Sequence, residues 1–354
     1  MKITKEIIST INNKEVFLFK ITNNNNYSIS FINFGCYIHQ VLIPYKNNNN
    51  VYEDVILGYQ NPLDILNDTT FFNVTAGRVC NRISNAEFEL NEKKYFLKKN
   101  HGLHHLHGGE IGFNKKIWGI KKIDEEKNEI SITMDYLSPH LEENYPGNLY
   151  CKTKYSFNND NELKISFFAE TDQDTIVNLT NHNYWNFHGH DNHYNNIENH
   201  HIEINSESVC ELDQNLIPTG IIKNIKNTKY DFNPDNFTEG KIIQKNLLDQ
   251  GGIDINYIVN DKKEIKKVSR AWSNQTKMGV EYATDQYGLQ FYTGNSMDQE
   301  YKGKNDRKYG KYYGFCFEAQ LFPDAINHKN FYSPILRSGE QYSSNTIIKL
   351  SNDF

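Results

Sequence analysis

Residues 178–189, NLTNHNYWNFHG, begin as a β-prone run and end in polar and aromatic groups gathered around His182. Read as one strand over residues 176–182, alternation puts Val177 and Leu179 on one face and Asn178, Thr180 and His182 on the other. The apolar face packs and the imidazole looks outward. Residues 314–324, GFCFEAQLFPD, repeat the arrangement, with Phe315, Phe317 and Ala319 on one face and Cys316, Glu318 and Gln320 on the other. A histidine and a carboxylate presented from rigid strands form a pair able to move protons in opposite directions, once the fold brings the strands together.

Working outward, the same short-strand rhythm fills the chain. Residues 15–21 and 27–33 read as a hairpin around the asparagine run 23–26, and the largely apolar segment 37–44 leads to a second run at 47–50. Both runs are expected as low-complexity expansions in exposed turns. Residues 62–67 have the spacing of one helical turn; segments 129–136, 151–157, 162–169, 201–205, 280–283, 288–293, 314–320 and 346–350 alternate as strands. Many short strands with few helical windows predict an all-β sandwich of large antiparallel sheets rather than a small barrel. Glycine and proline are spread throughout with no linker-like shift in composition, so residues 1–354 are expected to form a single domain.

The 354 residues carry 38 basic and 44 acidic side chains, a formal net charge of -6, without a basic block of the kind nucleic acid requires. A small neutral ligand suits this balance. No run approaches membrane-spanning length and the first residues lack a long apolar core, so a cytosolic protein is expected, with neither nucleic acid nor membrane as partner. Cys36, Cys80, Cys151, Cys210 and Cys316 are odd in number, far apart and without CxxC spacing, which predicts buried thiols rather than disulfides or a thiolate zinc site. The glycosylation-pattern matches at Asn67, Asn73, Asn178, Asn236 and Asn274 are those expected by chance in so asparagine-rich a chain.

Several groups offer chemistry. GRVCNRIS at 77–84 sets Asn81 beside Arg82, an amide and a guanidinium that donate to sugar hydroxyls or a carboxylate; the plainer reading pairs the arginine with a surface acid. NHGLHHLHGG at 100–109 concentrates His101, His104, His105 and His107 before a glycine pair. His105-x-His107 followed by Glu110 suggests the metal run of a cupin-type barrel, although the acid follows too closely and no later histidine completes the set. Alternatively His107 hydrogen-bonds or transfers a proton to a ligand oxygen, with His101 and His104 as surface-loop histidines. His188, His190 and His193 read as solvated loop residues. His182 differs because Asn178 and Thr180 share its face and suit fixing its tautomer or orienting a ligand. A partly desolvated Glu318 would work as a base near neutral pH. Asp254, in GGIDINY, and Gln290, in GLQFYTGN, suit sugar hydroxyls or equally a turn or an edge strand.

Together these segments resemble the aldose 1-epimerase (mutarotase) family, in order along most of the chain: GRVCNRIS, LHGG at 106–109 with Gly112, Phe113 and Trp118, YPGNL at 145–149, NLTNHNYWN, GLQFYTGN, FEAQLFPDAINHKNF at 317–331 and SGEQY at 338–342. The resemblance implies a galactose-mutarotase-like supersandwich with a sugar in an open polar cleft. It implies Glu318 as general base, His182 as general acid, His107 as the second active-site histidine, and Asn81, Arg82, Asp254 and Gln290 as substrate contacts. The reaction implied interconverts α and β anomers of a free aldohexose, galactose or glucose, with no cofactor and no metal, in a protein that is a monomer or weak dimer. The chain departs from the family at Asn183, Trp185, Ile253, Ile255 and Leu321, and the changes beside Asp254 bear on which sugar is preferred. Two alternatives stand beside this reading: a hexose-6-phosphate epimerase, which needs a further cationic cluster, and a non-catalytic sugar-binding module, which has no use for an acid and a base.

Overall fold

The computed structural model describes residues 1–190, 196–236, 240–297 and 302–354, and in them the regular structure is mostly antiparallel strand. Three sheets dominate. Lys2–Ile11, Lys14–Thr22, Ser28–Ile32, Ile38–Tyr45 and Asn48–Asp54 pair in sequence order as a five-stranded sheet. A nine-stranded sheet runs Gly119–Glu125, Glu129–Ser138, Leu149–Asn158, Glu162–Thr171, Gln341–Ser351, Gly279–Thr284, Lys266–Ser273, His200–Ile204, Lys241–Ile242. A six-stranded sheet, ordered Tyr184–Trp185, Phe315–Gln320, Gly288–Tyr292, Asp254–Ile258, Ser208–Leu212, Pro218–Asn224, carries the site. No helix among the described residues is long and apolar enough to cross a membrane.

Alternation builds the core. In Leu149–Asn158 the odd residues Leu149, Cys151, Thr153, Tyr155 and Phe157 are buried while Tyr150, Lys152 and Lys154 are half-exposed. One apolar cluster draws Phe19 and Phe31 from the first sheet, Tyr155 and Ile165 from the second, and Phe291, Phe315 and Phe317 from the third. Phe31 meets Tyr155 edge-on at 5.0 Å, and Tyr282 meets Phe317 at 5.4 Å. Each such side chain contributes about 1.5–3 kcal/mol by leaving water, so the sheets cannot separate without losing the core. All five cysteines are buried and free, as their spacing predicts.

The hairpin at 14–32 forms in the expected place, and residues 62–67 make a 3-10 turn whose start is capped by Asn61 Oδ1 accepting from the Leu63 N–H at 3.1 Å. The asparagine runs are less idle than expected. Asn23 is buried and its Nδ2 donates to Asn158 O at 3.0 Å and Asn161 Oδ1 at 2.8 Å, tying the first sheet to a turn of the second. The second run enters the strand Asn48–Asp54 instead of remaining a turn, with Asn48 opposite Tyr45. His193 lies outside the described residues.

Candidate active site

Residues 176–182 do not form one strand. Short pieces pair with different neighbours: Thr175–Ile176 with Ile335–Leu336, Thr180–Asn181 with Thr75–Ala76, and Tyr184–Trp185 with Phe315–Gln320. Alternation still sorts the side chains, since Val177 and Leu179 enter the main core. The polar face, however, is not outward. Asn178 accepts from the Leu321 N–H at 3.0 Å and donates to Leu321 O at 3.3 Å, while Thr180 donates to Ala319 O at 2.9 Å. Both clamp the histidine segment to the end of the glutamate strand; neither orients the imidazole or a ligand. His182 is itself buried, on the floor of a cavity of about 210 Å³.

The floor is laid out by register. Residues directly opposite across antiparallel strands share a face, so Tyr184, Cys316, Tyr292 and Asp254 form one row, and Glu318, Gln290 and Asn256 the next. Asp254 and Gln290 thus sit on interior strands, not in a turn or at an edge. Gln290 Nε2 donates to Asp254 Oδ1 at 2.6 Å and Arg82 Nη2 meets Asp254 Oδ2 at 3.3 Å. The acid that pairs with Arg82 is therefore a cavity group, not a surface one. Buried Arg82 Nε, Gln290 Oε1 and Glu318 Oε2 have no partner among the described residues, which leaves polar valences for a ligand to fill.

His107 comes from the opposite wall. The Asn81 N–H donates to its Nδ1 at 3.1 Å and the His107 N–H returns a bond to Asn81 O at 3.0 Å. With Nδ1 an acceptor, the neutral ring carries its proton on Nε2. Burial, then the neighbouring His182 and Arg82, holds His107 well below its ordinary value, so it stays a neutral donor. The turn that delivers it needs Gly108: at φ +89° a Cβ there would lie 1.7 Å from Gly77 O.

His182 Nε2 faces Glu318 Oε1 at 3.5 Å, and its Nδ1 faces Cys316 Sγ at 3.4 Å. The ring stacks on Tyr184 at 5.0 Å and meets His107 edge-on at 5.1 Å. Burial lowers its pKa to about 4, against a smaller pull from its own main-chain carbonyl. Glu318 moves the other way: burial pushes its carboxyl well above the ordinary value, the Asp254 charge adds to the push, and Arg82 opposes it. The opposed shifts erode the usual preference for carboxylate over imidazole deprotonation. His107, His182 and Glu318 each offer an atom within 4.8 Å of the others, close enough for all three to converge on one ligand.

The cupin-type run does not assemble. His105 Nδ1 donates to Lys98 O at 2.7 Å and its Nε2 accepts from Tyr145 Oη at 2.6 Å, which uses both nitrogens; Glu110 is exposed and reaches Lys98 at 3.7 Å. His188 and His190, expected in solvent, are buried as well, and the His190 N–H donates to Glu53 Oε1 at 3.3 Å. His190 Nε2 donates to Ile56 O at 3.1 Å and its Nδ1 meets Tyr309 Oη at 3.1 Å; the His188 ring packs 4.2 Å from that of His200. His101 is exposed as expected, yet it lines the cavity. Sequence reasoning missed Phe71, Tyr184 and Tyr292 as cavity walls and Cys316 as the neighbour of His182. Alternation from Gln290 and Glu318 points to Tyr292 and Cys316; nothing local points to Phe71. The departures at Ile253, Ile255 and Trp185 are core residues, with Trp185 Nε1 donating to Tyr282 Oη at 2.7 Å.

A buried carboxyl–imidazole pair beside an amide and a guanidinium that each keep one polar atom unfilled, on a supersandwich of antiparallel sheets, defines an acid/base enzyme for a small polyhydroxylated ligand. A family profile described as aldose 1-epimerase matches residues 18–349. The galactose mutarotase of Bos taurus is 34% identical over 323 residues, covering 91% of this chain and 91% of its own. The aldose 1-epimerase of Escherichia coli (strain K12) is 28% identical over 338 residues, 93% of each chain. Among solved structures, the GalM/aldose epimerase homologue from C. elegans aligns with a TM-score of 0.84 at 24% identity, covering 95% of this chain and 98% of that one. The galactose 1-epimerase from Lactobacillus acidophilus NCFM aligns at 0.83 and 21% identity, covering 100% and 99%. The chain belongs to the aldose 1-epimerase family, and its activity is that of an isomerase that interconverts sugar anomers.

Proposed function

We propose that this protein equilibrates the α and β anomers of a free aldohexose, galactose or glucose, with Glu318 as base and His182 as acid. The observation that carries the reading is the buried His182–Glu318 pair at 3.5 Å, with Glu318 Oε2 unpaired among the described residues, on the floor of the cavity. Glu318 takes the proton of the C1 hydroxyl while protonated His182 gives one to the ring oxygen. The C1–O5 bond breaks to leave an open-chain aldehyde. Rotation about C1–C2 offers the other carbonyl face, and the same groups acting in reverse close the opposite anomer. His107 Nε2–H steadies the oxygen that develops charge. Arg82, Asp254 and Gln290 hold the remaining hydroxyls, whose hydrogen bonds must be replaced when the ring leaves water, and Asn81 supports them by fixing His107.

No redox step occurs, so the proposed chemistry needs no nicotinamide, nucleotide or metal. A phosphorylated substrate is not favoured, because among the described lining residues Arg82 is the one permanent cation and Asp254 already engages it. The working form proposed is a single domain in the cytosol, monomeric or weakly dimeric, with neither nucleic acid nor membrane as partner. Polarimetry of freshly dissolved α-D-galactose and α-D-glucose in EDTA is the test. The expected result is faster relaxation to an unchanged final rotation; no acceleration with either sugar refutes the proposal.

A further inference from the structure

His182 is enclosed on every side, and the group behind it is unusual for a proton-transferring imidazole. Tyr184 stacks on one face, Phe71 lies at 6.4 Å, Tyr292 meets the ring edge-on at 6.5 Å, His107 stands beside it and Glu318 lies ahead of Nε2. Behind Nδ1 sits the fully buried Cys316 Sγ at 3.4 Å. A catalytic histidine commonly directs this nitrogen at a carboxylate or carbonyl oxygen, which stabilises the imidazolium. The ring's own main-chain carbonyl, which also accepts from the Asn73 N–H at 3.0 Å, gives only the smaller upward pull already noted.

We propose that Cys316 is a positioning residue that keeps His182 a strong acid, by placing a sulfur where an oxygen acceptor would stabilise the cation. Sulfur is a weak acceptor and a thiol carries no charge. Burial pushes the Cys316 thiol well above its ordinary value, so it remains uncharged across the working range. The thiol therefore restrains the ring without holding its proton. Cys316 and Glu318 are two residues apart on one face of Phe315–Gln320, so a single strand fixes both the base and the group behind the acid.

The inference rests on the proposed role of His182, and the variants separate the two readings, since the wild-type enzyme must first accelerate mutarotation. Cys316→Ser substitutes a stronger acceptor. Its acidic limb of kcat against pH is expected to move upward by about one pH unit, the scale of one charge-assisted hydrogen bond. His182 followed by NMR titration should move with it, and KM should hold. Cys316→Ala removes the restraint, and kcat is expected to fall roughly 10–100-fold, the loss typical when a histidine's outer partner is deleted, at unchanged KM. Cys316→Ser restores most of that loss. A purely structural cysteine changes melting temperature in both variants and leaves the limb and the His182 titration in place; that result overturns the proposal. Should the serine variant not fold, wild-type kcat in Cys316→Ala overturns it equally.

Discussion

Replacing Glu318 by glutamine separates chemistry from stability within one residue. The side chain is 2% exposed and one of its oxygens has no partner, so the isosteric amide fits the same space. What it removes is the proton acceptor. Loss of a positioned base costs roughly 10²–10⁴-fold in kcat, which is about 3–5 kcal/mol of barrier. Sugar binding through Arg82, Asp254 and Gln290 is expected to persist. The stability effect runs the opposite way. A carboxyl whose folded pKa is raised supports folding below its unfolded value and loses that support as pH rises toward the folded value. Wild-type protein should therefore lose melting temperature relative to Glu318→Gln as pH goes from about 5 to 8, the amide having no charge to bury. Polarimetric kcat, calorimetric binding and melting curves at both pH values are the assay. Full turnover by Glu318→Gln refutes its role as base; a melting difference that does not grow with pH refutes the claim that burial holds its carboxyl up.

The pH–rate profile of the wild type should be a broad plateau. Below about 4 His182 is protonated while Glu318 keeps its own proton, so the base is lost, and above the raised Glu318 value the pair has no proton to donate, so kcat is expected to fall on both sides. A single acidic limb at the ordinary carboxylate value would contradict this. Lys304 Nζ meets Asp54 Oδ2 at 2.7 Å with both side chains largely buried; Lys304→Met strands the acid and should destabilise by about 3–5 kcal/mol in denaturant titration, with Lys304→Met/Asp54→Asn recovering most of it. Arg82→Met should raise KM far more than it lowers kcat in steady-state polarimetry, since the role proposed for its guanidinium is to hold hydroxyls away from the reacting oxygen. Gly108→Ala should cripple folding, measured as soluble yield and melting temperature, because its Cβ has Gly77 O at 1.7 Å.

Much of the fold is legible in the chain because its strands are buried on one face and solvated on the other, so a period of two survives in the sequence. Phe315–Gln320 is buried on both faces, yet its apolar and polar side chains alternate, so Phe315, Phe317, Cys316 and Glu318 declare their faces as well. His182 is a harder case. Its segment alternates correctly but breaks into pieces that pair with three different partners, so the expectation of an outward imidazole fails, although His182 still lines the cavity beside Glu318. Distant closure is illegible: nothing local says that Arg82 meets Asp254, 172 positions away, or that His190 tucks under Ile56. Phe71 escapes for the same reason, since it reaches the cavity from an irregular loop at φ +61°. The local signals of His105, two polar nitrogens in a histidine-rich loop, are those of a ligand and of a structural tether alike, and only Tyr145 distinguishes them.

The strand Phe315–Gln320 has one further property. Its inward residues are phenylalanines of the core and its outward residues are the glutamate, the cysteine and Gln320, interleaved one by one. A shift of a single residue in its pairing would drop Glu318 among Phe291 and Tyr282 and lift Phe317 into the cavity, losing core and chemistry at once. An insertion or deletion in this strand is accordingly expected to cost more than a point substitution there. Over evolutionary time, changes of chain length must be absorbed by the loops at the rims of the sheets, where they reshape what enters the cavity without touching the proton carriers beneath it.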